Sequence, residues 1–148
     1  MIMKKIIINK ELSIYKKVFR ETCFGIVEKN NKILCIKDNN KIELIGGGIE
    51  ANESKEECLK REFKEETGLI IKSMKEFIQI DCFFKNLDNE VVEILANFFI
   101  VETEENKTDS IENFELIELS IEELISKLNL PYQKEAIKEY LQHKSNIF

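Results

Sequence analysis

The 148-residue sequence predicts a fold that combines strands and helices, α+β or mixed α/β, and three observations carry that prediction. Runs of β-branched and aromatic residues lie on both sides of one well-capped helix. Asparagine pairs and a glycine triplet separate those runs. Two further helical stripes close the chain, and this order of strands and helices by itself fits either α+β or mixed α/β.

Taken in order, Ile6, Ile7 and Ile8 form a short strand, and residues 11–20 are too mixed to assign. Three β-type runs follow at 22–27, 33–37 and 42–45. Asn30-Asn31 and Asp38-Asn39-Asn40 separate them, which is hairpin chemistry because asparagine tolerates positive φ. The third run leads directly into Gly46-Gly47-Gly48. The order of a P-loop, with Lys-Ser or Lys-Thr after the last glycine, is absent.

Ser54 with Glu57 three residues on has the form of a capping box, and Gly68 suits a left-handed residue past the last turn. These signals place a helix over residues 55–67. An extended region begins at 69–71 and continues through 77–84, residues 86–89 turn, and 91–101 return as a long apolar strand. Alternation predicts that one member of each pair, Phe83-Phe84 and Phe98-Phe99, faces inward and the other outward. Residues 102–113 have no apolar period and read as a mobile loop.

Ser120 with Glu123 is a second capping box, followed by the stripe Ile121, Leu124, Ile125 and Leu128. Residues 131–142 put Tyr132, Ala136, Ile137, Tyr140 and Leu141 along one face, a helix that covers the sheet. No repeat or low-complexity linker interrupts the chain, and it holds one proline, so residues 1–148 are expected to form a single domain.

Lys+Arg 22 against Asp+Glu 28 leaves a net charge of −6, which argues against a broad nucleic-acid-binding face. An anionic ligand would need its charge met locally. Cys23, Cys35, Cys58 and Cys82 are widely spaced and three sit in apolar stretches, the pattern of buried free thiols in a reducing compartment. A single histidine, His143, gives histidine-based metal or nucleophile chemistry no support. Lys4 and Lys5 precede an apolar run too short for a signal peptide or a membrane span. The protein is expected to be cytoplasmic, with no membrane partner.

The helix at 55–67 holds the chemistry. At about 100° per residue, Glu62, Glu65 and Glu66 share one face. Glu62 and Glu66 form a like-charge i, i+4 pair, which costs about 0.2–0.5 kcal/mol unless a cation lies between them. Clustered carboxylates suit a hard divalent ion, Mg²⁺ or Mn²⁺, better than zinc. Arg61, at i+4 from Glu57 and i−4 from Glu65, can hold one acid in position. Glycines 46–48 let the backbone approach a ligand closely. Spacing alone also allows a solvated acidic helix after a flexible loop.

Gly47, five residues, Glu53, seven residues, then Arg61-Glu62-Phe63-Lys64-Glu65-Glu66-Thr67-Gly68-Leu69 resembles the Nudix box at every defining position. The resemblance implies an α/β/α sandwich with a central mixed β-sheet. It implies a Mg²⁺-dependent hydrolase that cleaves a diphosphate linkage in a small-molecule nucleoside diphosphate derivative, acting as a monomer or homodimer. Glu62, Glu65 and Glu66 would be metal ligands or their close partners, the Gly47 carbonyl an added ligand, and Arg61 and Glu53 an orienting pair. Related chains often carry an acidic loop before a similar S-x-E-E-L helix start, where a glutamate serves as base or extra ligand. Glu115 is the best positional match and Glu112 the second, with Glu65 the alternative base within the box. Glu118 departs from the pattern, standing where an aromatic is common. Arg20, one of two arginines, is read either as a phosphate contact or as a plain surface residue. The rival readings are a Nudix-fold module that binds a nucleotide without cutting it, and a partner-binding protein whose acidic helix is only surface.

Overall fold

Runs of β-branched and other apolar residues, divided by asparagine turns, give strands β1 (Lys5–Ile8), β2 (Lys17–Ile26), β4 (Lys32–Asp38) and β5 (Lys41–Glu43), with the short β3 (Glu28–Lys29) and the glycine strand β6 (Ile45–Gly48) held by pairing to β4 and β2, then helix α1 (Lys55–Thr67). Strands β7 (Leu69–Lys85), β8 (Val91–Lys107) and β9 (Glu115–Ser120) precede helices α2 (Ile121–Lys127) and α3 (Pro131–Ile147). The computed structural model describes residues 5–112 and 114–147, so Lys4 and Asn113 lie outside the described residues.

A five-stranded mixed sheet runs β1-β7-β8-β2-β6. β1 on β7 and β2 on β8 are parallel, while β7–β8 and β2–β6 are antiparallel. In a second, antiparallel sheet β4 pairs with β3, β5 and β9. The asparagine turns form as their chemistry demands: Asn30, Asn31, Asn39 and Asn40 all have φ between 47° and 68°.

Helices cover both faces, which makes the α/β/α sandwich. Phe24, Ile26, Cys35, Ile80 and Phe98 pack with Leu124, Tyr132, Ala136 and Tyr140 of α2 and α3. Their strand neighbours Cys23, Leu34 and Phe99 turn the other way, onto Cys58, Leu59 and Phe63 of α1. Truncating Phe63, fully buried, to alanine would cost about 3–5 kcal/mol, because the pocket between helix and sheet cannot close over the void. All four cysteines are buried free thiols. No helix among the described residues is long and apolar enough to cross a membrane.

Several expectations are corrected. Phe83 is buried and Phe84 half-exposed as alternation requires, but Phe98 and Phe99 are both buried, since each sheet face has its own helix layer. The 11–20 segment divides into a 3-10 turn (Lys10–Ile14) and the start of β2, where pairing of Lys17 with Val91 in β8 supplies backbone bonds without an apolar period. The 42–45 run breaks at Leu44, whose N–H donates to the buried Gln133 Oε1 at 2.8 Å. Leu141 is solvent-exposed, one position beyond the buried stripe of α3.

The largest correction is the mobile loop at 102–113. β8 continues to Lys107 against β7, with Glu102 opposite Ser73 and Lys107 opposite Leu69. Main-chain pairing holds a solvent-facing hairpin whose side chains carry no apolar signal. The following residues fold onto the end of α1: Thr108 N and Oγ1 donate to Gly68 O at 2.8 and 3.1 Å. Gly68, at φ 76°, permits this approach, because a Cβ there would lie 2.0 Å from Thr108 O.

Candidate active site

Helix α1 begins where the sequence indicates. Ser54 Oγ accepts from Glu57 N at 3.0 Å and Glu57 Oε1 accepts from Ser54 N at 2.9 Å, a complete capping box. Leu59 and Phe63 anchor its inner edge. That anchoring turns residues 61, 62, 65 and 66 toward β6 and the segment after β8.

Arg61 organises this face. Its Nε donates to Glu53 Oε2 at 2.6 Å and Nη2 to Glu53 Oε1 at 3.0 Å, a bidentate pair. Nη1 donates to Glu62 Oε1 at 2.9 Å and Glu65 Oε2 at 3.2 Å, and Nη2 also reaches Gly48 O at 3.1 Å. Glu50 Oε1 stands 3.7 Å from Nη1. The Arg61 hydrogen bonds hold the Glu53 carboxyl down to about 2, helped by the Glu50 N–H.

Glu66 is buried, and its Oε1 accepts from Gly46 N at 2.9 Å. Burial pushes its carboxyl up to about 9; the Gly46 N–H opposes the shift, and the charges of Glu62, Glu112 and Glu43 add to it. Burial also raises Glu62, against the pull of Arg61 and with the repulsion of Glu65 and Glu112. Gly47 lies directly under Glu62: an added Cβ would sit 2.7 Å from the Glu62 carboxyl carbon.

Glu112 is half-buried, and its backbone N–H donates to Glu65 O at 2.8 Å, beside that of Ile111 at 3.0 Å. The α1 carbonyl thus brings the loop glutamate to the acidic face. Glu115 goes elsewhere. It opens β9 opposite Lys37 and shares a cleft with Ile117 and Lys127, on the side of α2 rather than α1. Sequence position favours Glu115 over Glu112; of the two, Glu112 is the one that lies beside α1. Glu43, whose charge acts on Glu66, was missed, because a glutamate in a short strand carries no distinguishing signal. His143 bonds Glu139 at 3.3 Å on α3.

Among the described residues, no three of His, Cys, Asp and Glu converge closely enough to hold a metal ion as they stand. A guanidinium is the cation among these acids, with Arg61 Nη1 bridging Glu62 and Glu65. The donor set nevertheless fits a hard divalent ion. It consists of oxygens only, it includes a buried carboxyl repelled by its neighbours, and it faces a glycine where any side chain would strike Glu62. Carboxylates held against bare backbone in this way have the chemistry that suits an oxygen-liganded divalent ion.

The comparisons agree. The NUDIX domain family matches residues 20–142. An ADP-ribose pyrophosphatase from Methanocaldococcus jannaschii is 32% identical over 153 residues, covering 96% of this chain and 86% of that relative. Among solved structures, the mutator MutT protein from Bacillus halodurans superimposes with a TM-score of 0.67 at 24% identity, over 80% of each chain. The MutT protein from Methanosarcina mazei gives 0.64 at 20% identity, over 88% of this chain and 98% of that one. These two structures bear on the fold alone. The chain belongs to the NUDIX family and is a Nudix pyrophosphohydrolase.

Proposed function

We propose that this chain uses Mg²⁺, or Mn²⁺ in its place, to hydrolyse the diphosphate linkage of a nucleoside diphosphate derivative, with ADP-ribose the first substrate to test. The name of the 32% identical relative supports that choice of substrate. The observation that carries the reading is a buried Glu66 on which the charges of Glu62 and Glu112 act, held beside the side-chain-free backbone of Gly46 and Gly47.

Glu62, Glu65, Glu66 and the Gly47 carbonyl would hold the metal, with Glu112 as an added ligand. When bound, a divalent cation supplies charge neutralisation at phosphate oxygens and acidifies water. The chain's own residues do the rest. Arg61, clamped by Glu53, fixes the α1 face against Gly48 O and keeps the carboxylates from swinging into solvent. Gly46 N–H orients Glu66. Glu112 or Glu65 accepts the proton of the water that attacks phosphorus. Attack is direct, and the products are a nucleoside monophosphate and a second phosphorylated fragment.

The test is a panel of ADP-ribose, nucleotide sugars, dinucleoside polyphosphates and damaged nucleoside triphosphates, assayed with and without Mg²⁺ and with product identification. Mg²⁺-dependent release of a monophosphate from at least one diphosphate derivative is expected. No turnover of any member, with no Mg²⁺ effect on melting temperature, would overturn the reading.

A further inference from the structure

Both arginines of the chain meet at one glycine. Arg61 Nη2 donates to Gly48 O at 3.1 Å. Arg20 lies against the same residue, since a Cβ built on Gly48 would stand 2.6 Å from Arg20 Nη2 and 3.7 Å from its Cζ. Neighbouring residues of a strand point to opposite faces. Gly47 faces Glu62, so Gly48 and Arg20 mark the other face of β6.

The partners of the two guanidinium groups differ. Arg61 is surrounded by Glu50, Glu53, Glu62 and Glu65. Arg20 makes no hydrogen bond or ion pair among the described residues. It is the guanidinium left with charge to offer, across β6 from the carboxylates. Further along its face of β2 are Thr22, opposite Gly48, and Phe24, which packs on Tyr132 with ring centroids 5.9 Å apart.

We propose that Arg20 grips a phosphate of the substrate from the side of β6 opposite the acidic helix, so that the diphosphate lies across the glycine strand between Arg20 and Glu66. This rests on the hydrolase reading above. Gly46 and Gly48 mark the two ends of that crossing, about 7 Å apart at strand spacing, which is comparable with the span of a diphosphate group. A planar guanidinium presents paired N–H donors that match two oxygens of one phosphate. Glycine at 48 leaves the space that this approach needs. The arrangement selects substrates in which the cleaved linkage joins two charged phosphates.

Arg20→Ala and Arg20→Lys test this, each first shown by circular dichroism to be folded. AMP is titrated into each protein by calorimetry without added metal, and ADP-ribose turnover is measured with Mg²⁺. Loss of a charge-assisted contact should weaken AMP binding in Arg20→Ala about tenfold or more. KM should rise in parallel with kcat within about twofold, because the contact serves ground and transition states alike. Arg20→Lys should recover part of the loss, and the salt dependence of AMP binding should be shallower in Arg20→Ala than in the parent. AMP affinity and KM both unchanged in Arg20→Ala would overturn the proposal, as would a parent protein that does not bind AMP. Failure of the hydrolase reading looks different: no substrate is turned over by the parent, while AMP binding still depends on Arg20.

Discussion

Glu66 Oε1 accepts the Gly46 amide hydrogen at 2.9 Å, and this bond fastens the last turn of α1 to the first glycine of β6. Glu66 is 7% exposed, and the charges of Glu62, Glu112 and Glu43 act on its carboxyl. Folding therefore buries an acid against the β6 backbone with three further carboxyl groups acting on it.

Glu66→Gln keeps an acceptor for Gly46 and removes the charge. The variant should fold and should lose about two orders of magnitude in Mg²⁺-dependent kcat, the usual scale for one missing electrostatic group. A purified, folded variant as fast as the parent would refute the role assigned to Glu66.

The same residue sets a pH dependence. In the metal-free protein burial pushes Glu66 up to about 9, so the native state binds this proton more tightly than the unfolded chain does. Its contribution to stability is complete below the ordinary carboxyl range near 4.5 and is lost as pH rises through about 9. In EDTA, the melting temperature of the parent should fall more steeply over that window than that of Glu66→Gln. Parallel slopes would show that Glu66 titrates normally.

Glu112→Gln and Glu115→Gln separate the two loop glutamates. The first acts on Glu62 and Glu66, whereas the second lines a separate cleft with Ile117 and Lys127. Turnover should fall about tenfold or more in Glu112→Gln, the range for a missing general base or ligand partner, and stay near the parent in Glu115→Gln. A slow Glu115→Gln beside a normal Glu112→Gln would reverse the assignment.

Gly47→Ala places a methyl group 2.7 Å from the Glu62 carboxyl carbon. Glu62 must swing away, so the Mg²⁺ concentration for half-maximal activity should rise about tenfold, within the range seen when ligand-orienting groups are disturbed. Unchanged Mg²⁺ dependence would mean that Glu62 needs no fixed position.

Arg61→Lys keeps the charge but loses the fork that joins Glu53, Glu62, Glu65 and Gly48. An ammonium cannot span those acceptors. Activity should fall about 10–100-fold, with the Glu53 carboxyl titrating closer to its ordinary value by NMR. A variant with parental activity and an unshifted Glu53 would show that the clamp is dispensable.

The box helix was legible in full because its determinants are local. Ser54, Glu57 and Gly68 set its ends, and the period of Leu59 and Phe63 sets its orientation. The asparagine turns were legible for the same reason. The long hairpin past Val101 was not, because ladder bonds between solvent-facing residues leave no mark on side-chain pattern. Choosing between Glu112 and Glu115 needed knowledge of which strand face meets α1, and Arg20 gained its place only when β2 was paired to β6. Those are consequences of register, which one sequence does not carry.

Two amides, from Ile111 and Glu112, share the single carbonyl of Glu65. Glu112 is thereby tethered to the rod that bears the other acids and is insulated from whatever happens at the far tip of the β7–β8 hairpin. Residues could be inserted or deleted at that tip, and the outer contour of the molecule remodelled, while Glu112 kept its place beside the acidic face of α1. Diversification of the periphery and preservation of that face are thus uncoupled by one shared acceptor.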